Sequence, residues 1–568
     1  MARLPESRTE LVLGPLLRHV GECDATVWVE TSAPCTVEVL GHYENTWTIA
    51  GHHYALVLIA GLAAGSVTRY EVSLNGKRVW PLPDAPYPSV IRTLRGDADL
   101  ILAFGSCRFA TPTATQDSDH FDADALDAYA RRVMERPPED LPDALLLLGD
   151  QVYADELLSP EILRRIDELH DLDQPPGAQI RNFEEYTWLY SESWSDPQVR
   201  WLLSTVPSSM IFDDHDVIDD WNISRSWRDE IEATDWWEER IVGALSSYWI
   251  YQHLGNLSPA ALADDELYQR IRSEGGDCAE LLRDFASAAD EEADGAKGAQ
   301  WSYRRDLGTT RLLVIDSRCG RILGGGTRSM VSEPEFSWIE RQTEGDYDHL
   351  LLGSSLPWLL PRAVHDLESW NERMASGVRG RRVTGWSERL RRSADLEHWA
   401  AFRDSFDRLA RLVARVGRGQ CSGTGGRAPA TICVLSGDVH HAYAAQAQFP
   451  DAVRSRVYQL TCSPMHNCVP TAMKVIFRVS WSRAAERVTR FLLDRVSTVP
   501  PVSVEWSRVT GPYFGNQIAT LHLRGRTSRL VLEQVSTDGG RPHLTTVADV
   551  VLSTETDGSP QSGIRRDP

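Results

Sequence analysis

The sequence predicts an α/β protein whose core domain is preceded by a β-sandwich module. Three observations predict it. Short, wholly apolar runs stop at Gly-Ser, Gly-Asp or Asp-Asp-His, as buried strands do where they run into loops. Stretches with helical spacing separate those runs, which gives the strand–helix–strand rhythm of an α/β fold. Residues 8–95 instead carry only β-branched or alternating segments broken by Gly, Pro, Asn and Asp.

In that module ATVWVET, CTVEVLG, HYALVLIAGL and TRYEVSLNGKRVW read as strands, with Asn75-Gly76 as a hairpin turn. His52-His53 fits either a surface pair on a strand or two metal ligands. A Pro-rich link, PLPDAPYPS, closes the module. The core domain is expected over 98–475. It opens with LILAFGSCRF, then a helix over FDADALDAYARRVMER with Asp122 or Asp124 near its start, then the strand of ALLLLGD. A helical, Trp-rich insertion is expected from about 157 to 300; eight of the 19 Trp lie between 188 and 249, and most are read as core packing. Strands return in TRLLVIDSR, HLLLGSSLPWLL and ATICVLSGDVHHAY. Residues 476–555 are expected to form a C-terminal helix and β-meander packed on the core. The stretch AMKVIFRVSWSRAAERVTRFLLDRV is basic and amphipathic, a pattern that fits a core-packed helix or a membrane-surface helix. The tail DGSPQSGIRRDP reads as disordered.

A chain of 568 residues is too long for one core, so two or three domains are expected. Its net charge of −22 argues against nucleic-acid binding, which needs a basic face. Nine cysteines without CxxC pairs form neither a disulfide framework nor a zinc ribbon. The N-terminus lacks a signal-peptide pattern, and the longest apolar run, at 55–65, falls short of a membrane span. A cytoplasmic location is the expectation.

Four apolar strands end in residues able to bind a metal: Cys107 in GSCR, Asp150 and Tyr153 in GDQVY, Asp213-Asp214-His215, and Asp438, His440 and His441 in SGDVHH. Each has a bland alternative. Cys107 fits an inert buried thiol, Asp150 a turn cap, and DDHDVIDD a solvated acidic loop. His440 and His441 alternate on a strand, so only one of them can face a given site. Together, however, thiolate, phenolate and imidazole suit a trivalent or borderline metal, while carboxylate oxygens suit a hard divalent one. Two such ions about 3.5–4 Å apart can hold a hydroxide and clamp a phosphoryl group.

GSCR, GDQVYAD, FDDHDVIDDWN, IDSR and LSGDVHH, in that order and spacing, resemble the PhoD-like alkaline phosphatases of the metallophosphoesterase superfamily. The resemblance runs over about 98–470, and the N-terminal module also suits it. It implies a four-layer fold of two mixed sheets with helices outside. It also implies iron, in its trivalent form, beside a divalent metal, calcium-like or other. By motif, Cys107 takes the place of the aspartate in the superfamily's DxH, Asp150 bridges the two metals, Tyr153 and His440 fall at the iron, and Asp214 and Asp438 fall at the divalent ion. His215 falls at the general acid or transition-state stabiliser. Arg108 and Arg318 are candidates for gripping phosphate oxygens, with pairing to Asp316 or another acid as the alternative for Arg318. Asn222, His441, His466 and Asn467 are candidate pocket residues. The motif has Asp-Asp-His where the superfamily has Gly-Asn-His, which bears on the divalent metal. The expected function is hydrolysis of a phosphoric ester by a metal-held hydroxide. A phosphodiesterase of the same fold and a non-catalytic scaffold on a degenerate core are the alternatives.

Overall fold

The computed structural model describes residues 9–83, 87–111, 121–294, 299–324, 328–377, 379–423, 426–538 and 541–554. The tail read as disordered lies outside them, as does part of the Pro-rich link.

The N-terminal segment forms two four-stranded antiparallel sheets. One runs in the order Leu11–Val20, Asp24–Thr31, His52–Ala60, Trp47–Ile49, the other His42–Asn45, Thr36–Val39, Val72–Leu74, Lys77–Trp80. Their period of two is visible in the packing. Val27, Val29, Val57 and Ile59 meet Val37, Val39 and Val72 between the sheets. The intervening Trp28, Tyr54 and Leu56 point the other way, into the large core of the main domain. The Asn75-Gly76 turn joins its strands with both residues at positive φ, which only such short or side-chain-free residues adopt readily. Among the polar ties that fix the module to the helical region are two buried or part-buried charges. Arg18 is fully buried and donates to the carbonyls of Tyr251 and Gln252. His52 bridges Glu30 at 3.0 Å and Glu184 at 2.7 Å, so it pairs with carboxylates instead of ligating a metal.

The main domain contains two mixed sheets. The six-stranded one runs Ser208–Ile211, Ala144–Leu148, Leu100–Gly105, Gln517–Arg524, Thr527–Asp538, Arg541–Ser553, with its first three strands parallel. The seven-stranded one runs Tyr303–Leu307, Thr310–Ile315, His349–Ser354, Thr431–Ser436, Arg456–Thr461, Ala442–Gln448, Glu505–Tyr513. Alternation again shows the layers. Leu312, Val314, Leu351, Cys433 and Leu435 enter the core shared with the six-stranded sheet. Their neighbours Leu313, Ile315, Leu350, Leu352 and Val434 enter a second core with Phe336 and Ile339 of the helix Glu333–Gln342 and Phe406, Leu409 and Val413 of the helix Arg403–Gly417. On the far side the helix Ala125–Met134, N-capped by Asp124, contributes Leu126, Tyr129 and Val133. The result is a four-layer α/β sandwich.

The C-terminal meander completes the six-stranded sheet through pairing of Gln517–Arg524 with Leu100–Gly105. The strands Ala442–Gln448, Arg456–Thr461 and Glu505–Tyr513 interleave Ala, Gln, Arg or Ser with their apolar residues and so lack a continuous apolar run. Seven of the eight Trp between 188 and 249 are buried; Trp188 is partly buried against the same core.

Candidate metal centre

The functional candidates gather where the two sheets bring their strand ends together. Leu100–Gly105, Ala144–Leu148 and Ser208–Ile211 deliver Cys107, Asp150 and Asp213–His215 from one sheet; Thr431–Ser436 delivers Asp438 and His440 from the other. Ligand sites in α/β folds sit at such ends. Two glycines permit the approach. A Cβ on Gly149 would lie 2.6 Å from the Cβ of Asp213, and one on Gly437 would lie 2.0 Å from Ser106 Oγ and 2.9 Å from the Leu148 carbonyl oxygen. Backbone bonds stitch the loops: Cys107 N–H donates to Gly149 O at 3.2 Å, and Arg108 N–H to Asp150 O at 3.0 Å. Among the described residues ten non-glycine residues have positive φ, and Cys107, Asp150, Asn222, Asp438 and His440 are five of them. Strained backbone of this kind concentrates at functional sites.

Cys107 is fully buried, with Ser463 Oγ 3.1 Å and the Asp438 carbonyl oxygen 3.7 Å from its sulfur. Asn467 Nδ2 donates to the Tyr153 hydroxyl oxygen at 3.0 Å and lies 3.5 Å from His440 Nε2, which brings phenol and imidazole to one side-chain amide. Burial lowers the His440 pKa to about 4, which keeps the ring neutral with a lone pair to offer. His440 and His441 precede the strand Ala442–Gln448 in a tight turn, so strand alternation does not decide between them. His441 instead packs its ring 4.5 Å from Phe477, and its Nδ1 lies 2.6 Å from Val439 O.

The carboxylates are crowded. Burial, and next the charge of Asp213, push Asp150 well above the usual carboxylate range. Burial also lifts Asp213 and Asp214, against the pull of Arg318. Burial and then Glu397 raise Asp220 to about 9. A carboxylate oxygen from each of Asp150, Asp213 and Asp214 lies within 4.8 Å of the others, as do single ligand atoms of Asp214, His215 and Asp219. Asp150 Oδ1 and Asp213 Oδ2 are buried and take no hydrogen bond from any described residue. Unpaired buried acceptors cost free energy unless a cation meets them. Burial also raises the Cys107 thiol pKa, a shift that coordination would reverse by removing the proton outright. The donor set therefore fits metal.

A family model for the PhoD-like phosphatases matches residues 118–487, well over half of the chain. The chain belongs to the PhoD-like phosphatase family. It is thus an enzyme of the phosphoesterase kind, in a family that depends on metal. A second model, of a domain of unknown function (DUF7800), matches residues 8–91, the N-terminal strands. A solved structure of PhoD superposes with a TM-score of 0.59 at 12% identity, covering 98% of this chain and 93% of that one, which shows a shared fold. No curated protein matches the chain.

In this PhoD-like phosphatase both arginines expected at phosphate pair with buried carboxylates. Arg108 is 1% exposed; its NH2 lies 2.8 Å from Asp124 and its NH1 donates to Ser193 O at 2.8 Å. Arg318 is fully buried. It donates to Asp213 and Glu397, and its NH2 lies 3.2 Å from Asp214 and 3.8 Å from Asp438. That pairing follows from the acidic surroundings: in a buried site a guanidinium goes to the nearest carboxylates. Asn222 is likewise turned aside, donating to Arg318 O and accepting from Arg228. His466 Nδ1 lies 2.7 Å from Phe109 O. Asn467 alone of the four pocket candidates reaches the expected ligands.

Three residues escaped sequence reasoning. Asp155 Oδ1 lies 3.0 Å from His215 Nδ1, and its second oxygen accepts from Asp219 N–H. Burial opposes charge on His215, but Asp155 and Asp214 outweigh it and raise its pKa. His398 Nε2 lies 2.9 Å from Asp438 and its Nδ1 2.8 Å from Glu368. Burial opposes ionisation of Asp438, but His398 prevails and holds it at about 2. Glu397, next in the chain, binds Arg318 and Arg321. Asp155 sits within the GDQVYAD motif; His398 follows no apolar strand and gave no signal.

Proposed function

We propose that this chain hydrolyses phosphoric esters at a two-metal centre. The reading rests above all on one observation: a buried Asp150 carboxylate with an unpartnered oxygen, beside Cys107 on one loop and Tyr153 on the next turn. Cys107, Asp150, Tyr153 and His440 would hold iron. Asp214, with Asp150 shared, would hold a divalent ion, calcium-like or other; Asp438 faces the same space across Arg318. When bound, the ions supply a hydroxide nucleophile and positive charge for the phosphoryl oxygens.

The chain's own residues do the rest. His215, held as an imidazolium by Asp155 and 15% exposed, faces the solvent side of the site, where it protonates the leaving alkoxide. His398 fixes the rotamer of Asp438, and Asn467 fixes Tyr153 against His440. Arg318 neutralises the buried carboxylates that a dianionic ester would otherwise meet.

Metal content and cleavage of chromogenic phosphate mono- and diesters, measured together, test the reading. Asp150→Asn and His215→Ala should each abolish turnover, with metal falling mainly in the first. Full activity in metal-stripped Asp150→Asn protein contradicts it. The mono-to-diester ratio separates the phosphodiesterase reading, and absence of both metal and turnover would favour a scaffold.

A further inference from the structure

The C-terminal amphipathic stretch folds as two helices, Thr471–Ser480 and Arg483–Asp494, and neither buries its apolar face. On the first, Val475, Ile476 and Val479 are exposed; on the second, Val488, Phe491 and Leu492 are, with Val496 just beyond, all at 51–59%. The spacing 488, 491, 492 makes one stripe along the second helix.

The helix is held with that stripe outward. Arg490, on the opposite side, donates to both oxygens of Asp366, a fully buried carboxylate, at 3.0 Å. Leu493 packs into a small cluster with Trp370 and Met374. Turning the stripe inward would break this bidentate pair and leave the buried Asp366 only Arg362, 3.8 Å away.

The charge around the stripe is unlike that of the rest of the chain. Residues 471–495 hold six basic residues against two acidic, in a protein of net charge −22. Apolar side chains flanked by Arg and Lys match the interface of an anionic bilayer, where the chains enter the acyl boundary and the cations meet headgroup phosphates. The acidic remainder would be repelled, so the attraction is directional. No described helix is long and apolar enough to cross a membrane, so contact would be peripheral.

We propose that Thr471–Ser480 and Arg483–Asp494 form a docking face for an anionic phospholipid surface. The proposal stands independently of the metal centre.

Flotation of the full-length protein with vesicles tests it, comparing phosphatidylglycerol mixed into phosphatidylcholine with phosphatidylcholine alone. The wild type should float with the anionic vesicles and not the neutral ones. Val488→Ser/Phe491→Ser/Leu492→Ser and, separately, Arg483→Gln/Arg487→Gln should each weaken partitioning by about tenfold or more. Cleavage of a soluble ester and the unfolding midpoint should stay unchanged, since these side chains are exposed. Failure of the wild type to float at low salt overturns the proposal, as does equal flotation of the triple variant. A wild-type dimer that the triple variant dissociates, with no vesicle binding, overturns it in favour of a second copy of the chain.

Discussion

His215 Nδ1 lies 3.0 Å from Asp155 Oδ1, two residues past Tyr153 in the same loop. The carboxylate fixes the ring's orientation and favours its charged form, as a general acid requires. Asp155→Asn should keep the fold and the metal but lower turnover by about 10²-fold. Because Asp155 raises the His215 pKa, its loss should move the alkaline limb of the pH–rate profile to lower pH. A pH profile measured beside metal content checks both; an unmoved limb would refute the role.

Arg318 reaches Asp213, Asp214 and Glu397 together, and Arg321 meets only the last of them. Replacing it with Met takes the guanidinium from buried Asp213 and Asp214 and leaves Glu397 to Arg321 alone. Arg318→Met should cost about 3–5 kcal/mol of stability, read from urea unfolding. A loss below about 1 kcal/mol would show that the charges are balanced otherwise.

The close approach of the two sheets at Gly437 gives a steric prediction. An added Cβ meets Ser106 Oγ at 2.0 Å and the Leu148 carbonyl oxygen at 2.9 Å, and the latter is backbone. Gly437→Ala should destabilise by about 1–3 kcal/mol and displace Asp438 from Cys107, lowering metal per chain. Thermal unfolding with elemental analysis reads both effects.

Much of this was legible in the sequence, and the pattern of success has a physical basis. Apolar runs ending in Gly-Ser-Cys, Gly-Asp or Asp-Asp-His mark buried strands whose ends must carry polar loops, and those loops hold Cys107, Asp150, Asp214 and Asp438. What stayed hidden depends on long-range partners. Arg318 finds Glu397, 79 residues on, and nothing local signals which carboxylate a guanidinium will choose. His398 lies in an irregular segment between helices. A stripe of Val, Phe and Leu normally seeks burial, so the amphipathic stretch reads as a core helix more readily than as a surface one; the Arg490–Asp366 pair holds it outward.

His52 couples stability to pH at the junction with the N-terminal sheets. Burial opposes its charge, but Glu184 and Glu30 outweigh it and raise its pKa to about 9 from 6.5. The group binds its proton more tightly when folded. Its contribution is therefore complete below about pH 6.5 and lost as pH rises through about 9. Unfolding midpoints across that window should fall in the wild type, and His52→Gln should be less stable at neutral pH with a flatter decline. Equal slopes would contradict the coupling.

The central claim is that Cys107, Asp150, Tyr153 and His440 together hold iron. The visible absorption spectrum of the purified protein, with its iron content, tests this most directly. A phenolate bound to trivalent iron should give a charge-transfer band that Tyr153→Phe removes while iron remains. A colourless, iron-free wild type with full phosphatase activity would contradict the claim.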